Sequence, residues 1–146
     1  MPDNDRVIEN LVYAYAERID AGDLDGVARL FTHGRIAAAP GFVVEGPEQV
    51  RRLYEGSTRL YDDDGTPHTK HVTTNVIVEV ADDGETGTAR SYFTVFQQTD
   101  VLPLQPIIAG RYRDSFHRVD GEWWFDTREM FVDLKGDLSQ HLLYRL

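Results

Sequence analysis

The sequence predicts an α+β domain in which helices gather against one face of a curved, mostly antiparallel sheet. Helical apolar spacing fills the first part of the chain, where Ile8, Leu11, Val12, Tyr15 and Ile19 make one stripe. β-rich runs punctuated by the hairpin signals Asp82-Asp83-Gly84 and Asp120-Gly121 fill the rest. No repeat, low-complexity tract or linker interrupts the 146 residues, which suit one domain, 1–146, with a sizeable core. Helices first and strands after is an α+β order, and helices on a concave sheet leave a pocket between the layers.

The first helix is predicted over residues 5–19, with Asp3, Asn4 or Asp5 as its cap and Ala21-Gly22 as its end. Asp23 caps a shorter helix through Leu24, Val27, Leu30 and Phe31, closed by His33-Gly34. Arg35-Ile36-Ala37-Ala38-Ala39 and Phe42-Val43-Val44 are short strand candidates around the turn pair Pro40-Gly41. Gly46-Pro47 opens a third helix, where a first-turn proline costs little, and Val50, Leu53 and Tyr54 give its apolar side. Residues 62–67 are an acidic loop. Four long strands follow, over 71–80, 86–98, 107–119 and 123–134. The loop 99–106 and the tail 136–146, which has room for a helical turn, are the candidate lids.

Composition excludes several classes. The net charge is -10 and the pI about 4.8, so the surface repels phosphate backbones and no nucleic-acid partner is expected. There is no cysteine, hence no thiol nucleophile, thiolate metal site or disulfide framework, which agrees with a cytoplasmic location. No apolar run reaches membrane-spanning length, so no membrane partner is expected. Residues 1–6 are polar and lack the apolar core of a signal peptide.

Asp20 is the residue that local rules explain least. Val12, Ala16 and Asp20 form a row at the border of the buried face. An acid in the last turn meets the negative end of the helix dipole, at a cost of about 0.3–1 kcal/mol. It therefore needs a partner, for which His71 is the candidate; the plain alternative is that Asp20 caps the next helix. Strand alternation places His71, Thr73, Asn75 and Ile77 on one face. Tyr15 lies on the apolar stripe, where core packing is the simple explanation. Arg128 shares an alternation face with Trp124, Met130 and Val132, with Asp126 or Asp114 as a structural mate. His68 reads as a solvated loop residue, and His33, His117 and His141 as surface or capping residues. His68 and His71 find no third ligand, so no metal is expected. Asp62-Asp63-Asp64-Gly65 lacks the later Glu of a calcium loop. No phosphate-binding glycine motif or nucleophile elbow is present, so no cofactor is expected either.

Taken together, several motifs resemble one family. They are Tyr15 and Asp20, the run His71-Val72-Thr73-Thr74-Asn75, then Gly110-Arg111-Tyr112-Arg113-Asp114, Asp120-Gly121-Glu122-Trp123 and Arg128. In this order they resemble the SnoaL-like branch of the NTF2-like superfamily, over nearly the whole chain. The resemblance implies an NTF2-like cone, with about three N-terminal helices packed on a strongly curved sheet. The nearest site pattern is that of the scytalone dehydratase, bile-acid dehydratase and lindane dehydrochlorinase group, which carry a His–Asp dyad inside the cone. By position, His71 would match the base and Asp20 its partner. Tyr15 would match the tyrosine of the bile-acid enzyme, and Arg128 an arginine that stabilises developing negative charge. The chain departs from scytalone dehydratase in lacking its full tyrosine and second-histidine set.

What the resemblance implies is a cofactor-free lyase or isomerase removing a proton from a small apolar ring compound, as a dehydratase or an aldol-type cyclase. The expected pocket residues are Phe31, Phe42, Tyr54, Phe93, Tyr112, Trp124 and Met130. Two alternatives are a non-catalytic small-ligand-binding module and a small subunit of a larger oxygenase assembly. A homodimer is expected through the outer sheet face, around Tyr92 and Phe96.

Overall fold

The computed structural model describes residues 3–146. Met1 and Pro2, where the polar opening stretch begins, lie outside the described residues. Helix α1 spans Asn4–Asp20, one residue longer at each end than its apolar period predicts. The Asp3 carboxylate caps it by accepting from the Asp5 N–H at 3.0 Å. Helix α2 spans Leu24–Leu30 and is capped by Asp23, which accepts from the Gly26 N–H at 2.9 Å. Asp23 performs that task alone, so Asp20 is left for another. Gly22 between the helices has φ +73°, and a Cβ there would lie 2.1 Å from the Gly65 carbonyl oxygen. Only glycine lets the loop at 62–67 close on this turn.

Strands β1 (Arg35–Ala39) and β2 (Phe42–Glu45) form a short hairpin before helix α3 (Gly46–Ser57). Strands β3 (Thr69–Val80), β4 (Thr86–Gln97), β5 (Gln105–Val119) and β6 (Glu122–Lys135) form a long meander. The sheet has six strands in the order β2-β1-β6-β5-β4-β3. Every pairing is antiparallel except that of β1 with β6. The helices pack on its inner face around Ile8, Val12, Val27, Phe31, Ile36, Phe116 and Phe125. Phe125 is stacked on Phe31 at 4.9 Å and tilted against Phe116 at 4.7 Å, which fills the deep end of the cone. Such aromatic pairs add about 0.5–1.5 kcal/mol each beyond their burial.

Two β-bulges overturn the simple alternation. In β3 the register with β4 shifts between Thr74 and Ile77, and Asn75 has φ +56°. Thr69, His71 and Thr73 are more buried than their neighbours, and beyond the bulge the more buried set becomes Val76, Val78 and Val80. Asn75 and Ile77 therefore do not share the face of His71. In β6 the register with β5 shifts at Asp126, between Phe125 and Thr127. Trp123 and Phe125 precede the shift on the buried face, and Arg128 and Met130 follow it. Trp124 is thereby turned to the opposite face, edge-on to His33 at 5.0 Å.

The segment 136–146 folds back over the open end of the cone. The Leu138 carbonyl accepts from the His141 and Leu142 N–H groups, which makes the expected turn. Leu142 bridges Thr58, and the Leu143 N–H donates to the Ser57 carbonyl at 2.9 Å. On the outer sheet face Tyr92 is 52% exposed, whereas Phe96 is half-buried. No helix among the described residues is long and apolar enough to cross a membrane.

Candidate active site

Between α1, α3, the sheet and the segment 136–146 lies a cavity of about 620 Å³. Five of the expected pocket residues line it: Phe42, Tyr54, Phe93, Tyr112 and Met130. Tyr15 and His71 line it as well. Phe31 and Trp124 do not. Phe31 ends α2 one layer deeper, sealed beneath Tyr15 and stacked on Phe125. Trp124 is turned away by the bulge at Asp126. Of the two candidate lids, only the segment 136–146 reaches the cavity, through Leu138, His141, Leu142, Tyr144 and Leu146. Among the described residues, no Lys, Arg, Asp or Glu lines it.

Asp20, stranded at the dipole-negative end of α1, accepts three hydrogen bonds from the start of β3. Its Oδ2 takes the His71 backbone N–H at 2.8 Å. Its Oδ1 takes the Thr69 hydroxyl at 2.8 Å and His71 Nδ1 at 2.7 Å. The two side chains are 12% and 8% exposed for Asp20 and His71. Burial would raise the Asp20 pKa. The His71 ring, the His71 backbone N–H and the Thr69 hydroxyl outweigh it and hold the carboxyl below its ordinary value. A carboxylate only accepts, so Nδ1 carries the hydrogen, and in the neutral ring the lone pair is then on Nε2.

Beside the dyad, the Tyr15 hydroxyl is hydrogen-bonded to that of Tyr54. The Tyr15 ring stands edge-on to Tyr112 at 5.8 Å. Burial raises the pKa of all three phenols, so each stays a neutral donor. Arg128 is placed differently from expectation. It is 0% exposed, does not line the cavity, and makes two bonds to Asp114, at 2.8 and 2.9 Å. Its guanidinium lies 3.6 Å from the Tyr112 ring centre and 4.3 Å from that of Tyr15. Burial would lower its pKa, but Asp114 more than reverses this. Asp114 in turn is pushed up by burial and pulled back by Arg128. The cation is thus paired with Asp114 behind two tyrosines, with Nη1 left unpartnered among the described residues.

His141 is the residue that sequence reasoning missed. It is not a surface group: it is 7% exposed and lines the cavity, with its ring centre 6.1 Å from that of His71. Burial, with help from His71 and against Asp20, pushes its pKa down to about 4. A second histidine thus lines the cavity, brought by a tail whose path no periodic pattern announces. Its only sequence signal is the apolar setting of Leu138, Leu142 and Leu143. His68 is tied to Asp63 at 2.9 Å and stacked on Tyr61, and it does not line the cavity.

The profile of the SnoaL-like domain family matches residues 3–129. No curated protein matches the chain. A candidate scytalone dehydratase from Novosphingobium aromaticivorans is 24% identical, with a TM-score of 0.72 over 90% of this chain and 85% of that one. An NTF2-like protein with a cystatin-like fold, from the same organism, is 23% identical, with a TM-score of 0.72 over 88% and 81% of the two chains. LinA is 18% identical, with a TM-score of 0.70 over 92% and 88%. At these identities the likeness is one of fold.

Proposed function

The chain belongs to the SnoaL-like domain family, and on that premise we propose that it is a cofactor-free lyase or isomerase. In this reading His71 and Asp20 take a proton from carbon in a small, uncharged ring compound. The observation that carries it is the 2.7 Å contact of His71 Nδ1 with Asp20 on the wall of an apolar cavity. A base working near neutral pH suits this chemistry, and histidine supplies one. Asp20 fixes the tautomer and ring direction and stabilises the imidazolium as it forms.

Dehydration is the first choice of reaction. His71 Nε2 takes a proton from the carbon beside a carbonyl, and the C–H electron pair becomes an enolate. The enolate re-forms the carbonyl by making a C=C bond and breaking the neighbouring C–O bond. The departing oxygen takes the proton back from the imidazolium and leaves as water. An aldol-type cyclisation shares the first step. Tyr15, paired with Tyr54, offers the spare hydroxyl hydrogen of the pair to the enolate oxygen. Arg128 acts at most through the tyrosines it underlies.

The test needs no knowledge of the natural substrate. α-Tetralone, a neutral two-ring ketone, is incubated with the protein in heavy water, and deuterium uptake beside its carbonyl is followed by NMR. The expected result is catalysed exchange that falls about 10²–10⁴-fold in His71→Ala, the range of general base catalysis. Binding without exchange would favour the non-catalytic ligand-binding module instead.

A further inference from the structure

His141 is the second imidazole of the cavity, and the proton route above does not use it. Its backbone is fastened on both sides. The His141 carbonyl accepts from the Arg59 N–H at 2.8 Å, and its own N–H donates to the Leu138 carbonyl at 3.1 Å. The preceding Gln140 carbonyl accepts from the Tyr61 hydroxyl at 2.5 Å and from Gln97 Nε2 at 3.0 Å. The ring takes no part in this. It is 7% exposed, and its Nδ1, which has no hydrogen-bond partner among the described residues, is closed to water and so faces protein rather than the cavity. It lines the cavity beside His71. With Nδ1 turned into protein, Nε2 is the nitrogen left to meet a guest, and a neutral ring that carries its hydrogen there is a donor fixed in place before the guest arrives.

We propose that His141 donates a hydrogen bond to an oxygen of the bound guest, as a second catalytic group beside the His71–Asp20 dyad. This rests on the proposed proton abstraction and adds a group that receives the oxygen on the side of the base. The two rings meet edge-on, with centres 6.1 Å apart and planes at 67°, so neighbouring atoms of one guest can touch both. The groups facing His141 are His71 and Asp20, and burial with His71 holds its pKa near 4. It is therefore neutral at pH 7, with one N–H to give, and does not compete with His71 for the proton. A charged ring there would repel the imidazolium forming at His71, and a neutral ring does not.

Protein labelled at the histidine ring nitrogens is titrated with α-tetralone and with tetralin, the same rings without the carbonyl, and followed by NMR. The expected result is a shift of the His141 ring nitrogens with α-tetralone and none with tetralin. His141→Phe should slow deuterium exchange on the order of 10²-fold, the scale of one lost oxyanion donor, while tetralin still binds. His141→Gln, which keeps an N–H donor, should recover part of that loss. A ring that ignores both compounds or answers both alike, a cavity that admits neither, or exchange undiminished in His141→Phe would overturn the assignment. The shift is read without turnover. Exchange that does not depend on His71 would therefore sink the base while leaving the His141 donor standing.

Discussion

Asp20 grips His71 at two points, its backbone N–H at 2.8 Å and its ring Nδ1 at 2.7 Å. The first bond fixes where β3 begins, and the second fixes the ring. One carboxylate therefore joins the helix layer to the sheet and sets the tautomer together. The helix dipole opposes a charge at this position, and three donors from β3 answer it.

Asp20→Asn should cost both stability and exchange activity. The amide has the shape of the carboxylate, but one of its two arms now donates. It must point that N–H at the His71 backbone N–H, or at the Thr69 hydroxyl and Nδ1. A buried donor left unpaired costs about 1–3 kcal/mol, which urea unfolding will register as a lower midpoint at unchanged slope. Exchange of α-tetralone should drop by about 10²-fold or more as the imidazole loses its anchor.

Stability should fall on acidification in two separate windows. His141 has a folded pKa of about 4 against an ordinary value of 6.5, so the unfolded chain binds its proton first. Its contribution is complete above pH 6.5 and is lost progressively down to about pH 4, a loss on the order of 3 kcal/mol. Asp20 has a folded pKa below the ordinary 3.8, so its contribution is lost only as pH falls through 3.8 and then through that lower value. Thermal melts across this range should show a flatter upper window in His141→Gln and a flatter lower one in Asp20→Asn. Parallel curves for wild type and His141→Gln would contradict the upper assignment.

Most of the architecture is legible in the sequence, because helix caps, turn pairs and apolar periods are local signals. Asp3, Asp23, Pro47 and Asp120-Gly121 each mark a boundary that the structure keeps. The dyad is legible for a related reason: Asp20 is an acid where no local rule wants one. What fails is face assignment across a bulge, since one extra residue reverses every later side chain. Trp124 is misplaced by the bulge at Asp126, and Ile77 by the one at Asn75. The tail was illegible because its course depends on tertiary partners such as Arg59, Tyr61 and Gln97.

The bulge in β3 makes its own prediction. Asn75 sits at φ +56°, a region that asparagine tolerates and a β-branched residue does not. Asn75→Val should destabilise by about 1–2 kcal/mol, whereas Asn75→Gly should be close to neutral. Urea midpoints of the two variants will separate this from side-chain polarity, because both remove the amide.

Arg128 and Asp114 should behave as a pair. Removing one partner leaves a buried charge uncompensated, so Arg128→Met alone should cost about 3–5 kcal/mol. The double variant Arg128→Met with Asp114→Leu should recover much of that loss, because an apolar pair of similar volume needs no desolvated ions. Equal destabilisation in the single and double variants would mean instead that the guanidinium matters mainly by stacking on Tyr15 and Tyr112.

The cavity should select uncharged guests. Among the described residues no Lys, Arg, Asp or Glu lines it, and Arg128 is bound to Asp114 beneath Tyr15 and Tyr112. An ionised ligand would exchange water for aromatic and aliphatic walls, at an uncompensated cost of several kcal/mol. α-Tetralone should therefore bind at least about 10²-fold more tightly than 1-naphthoate, a carboxylate of comparable size. The comparison belongs at about pH 8.5, above the ordinary histidine range. Calorimetric titration of both compounds decides it. Comparable affinities would mean that Arg128 can leave Asp114 and reach the guest, which would restore it as a direct stabiliser of negative charge.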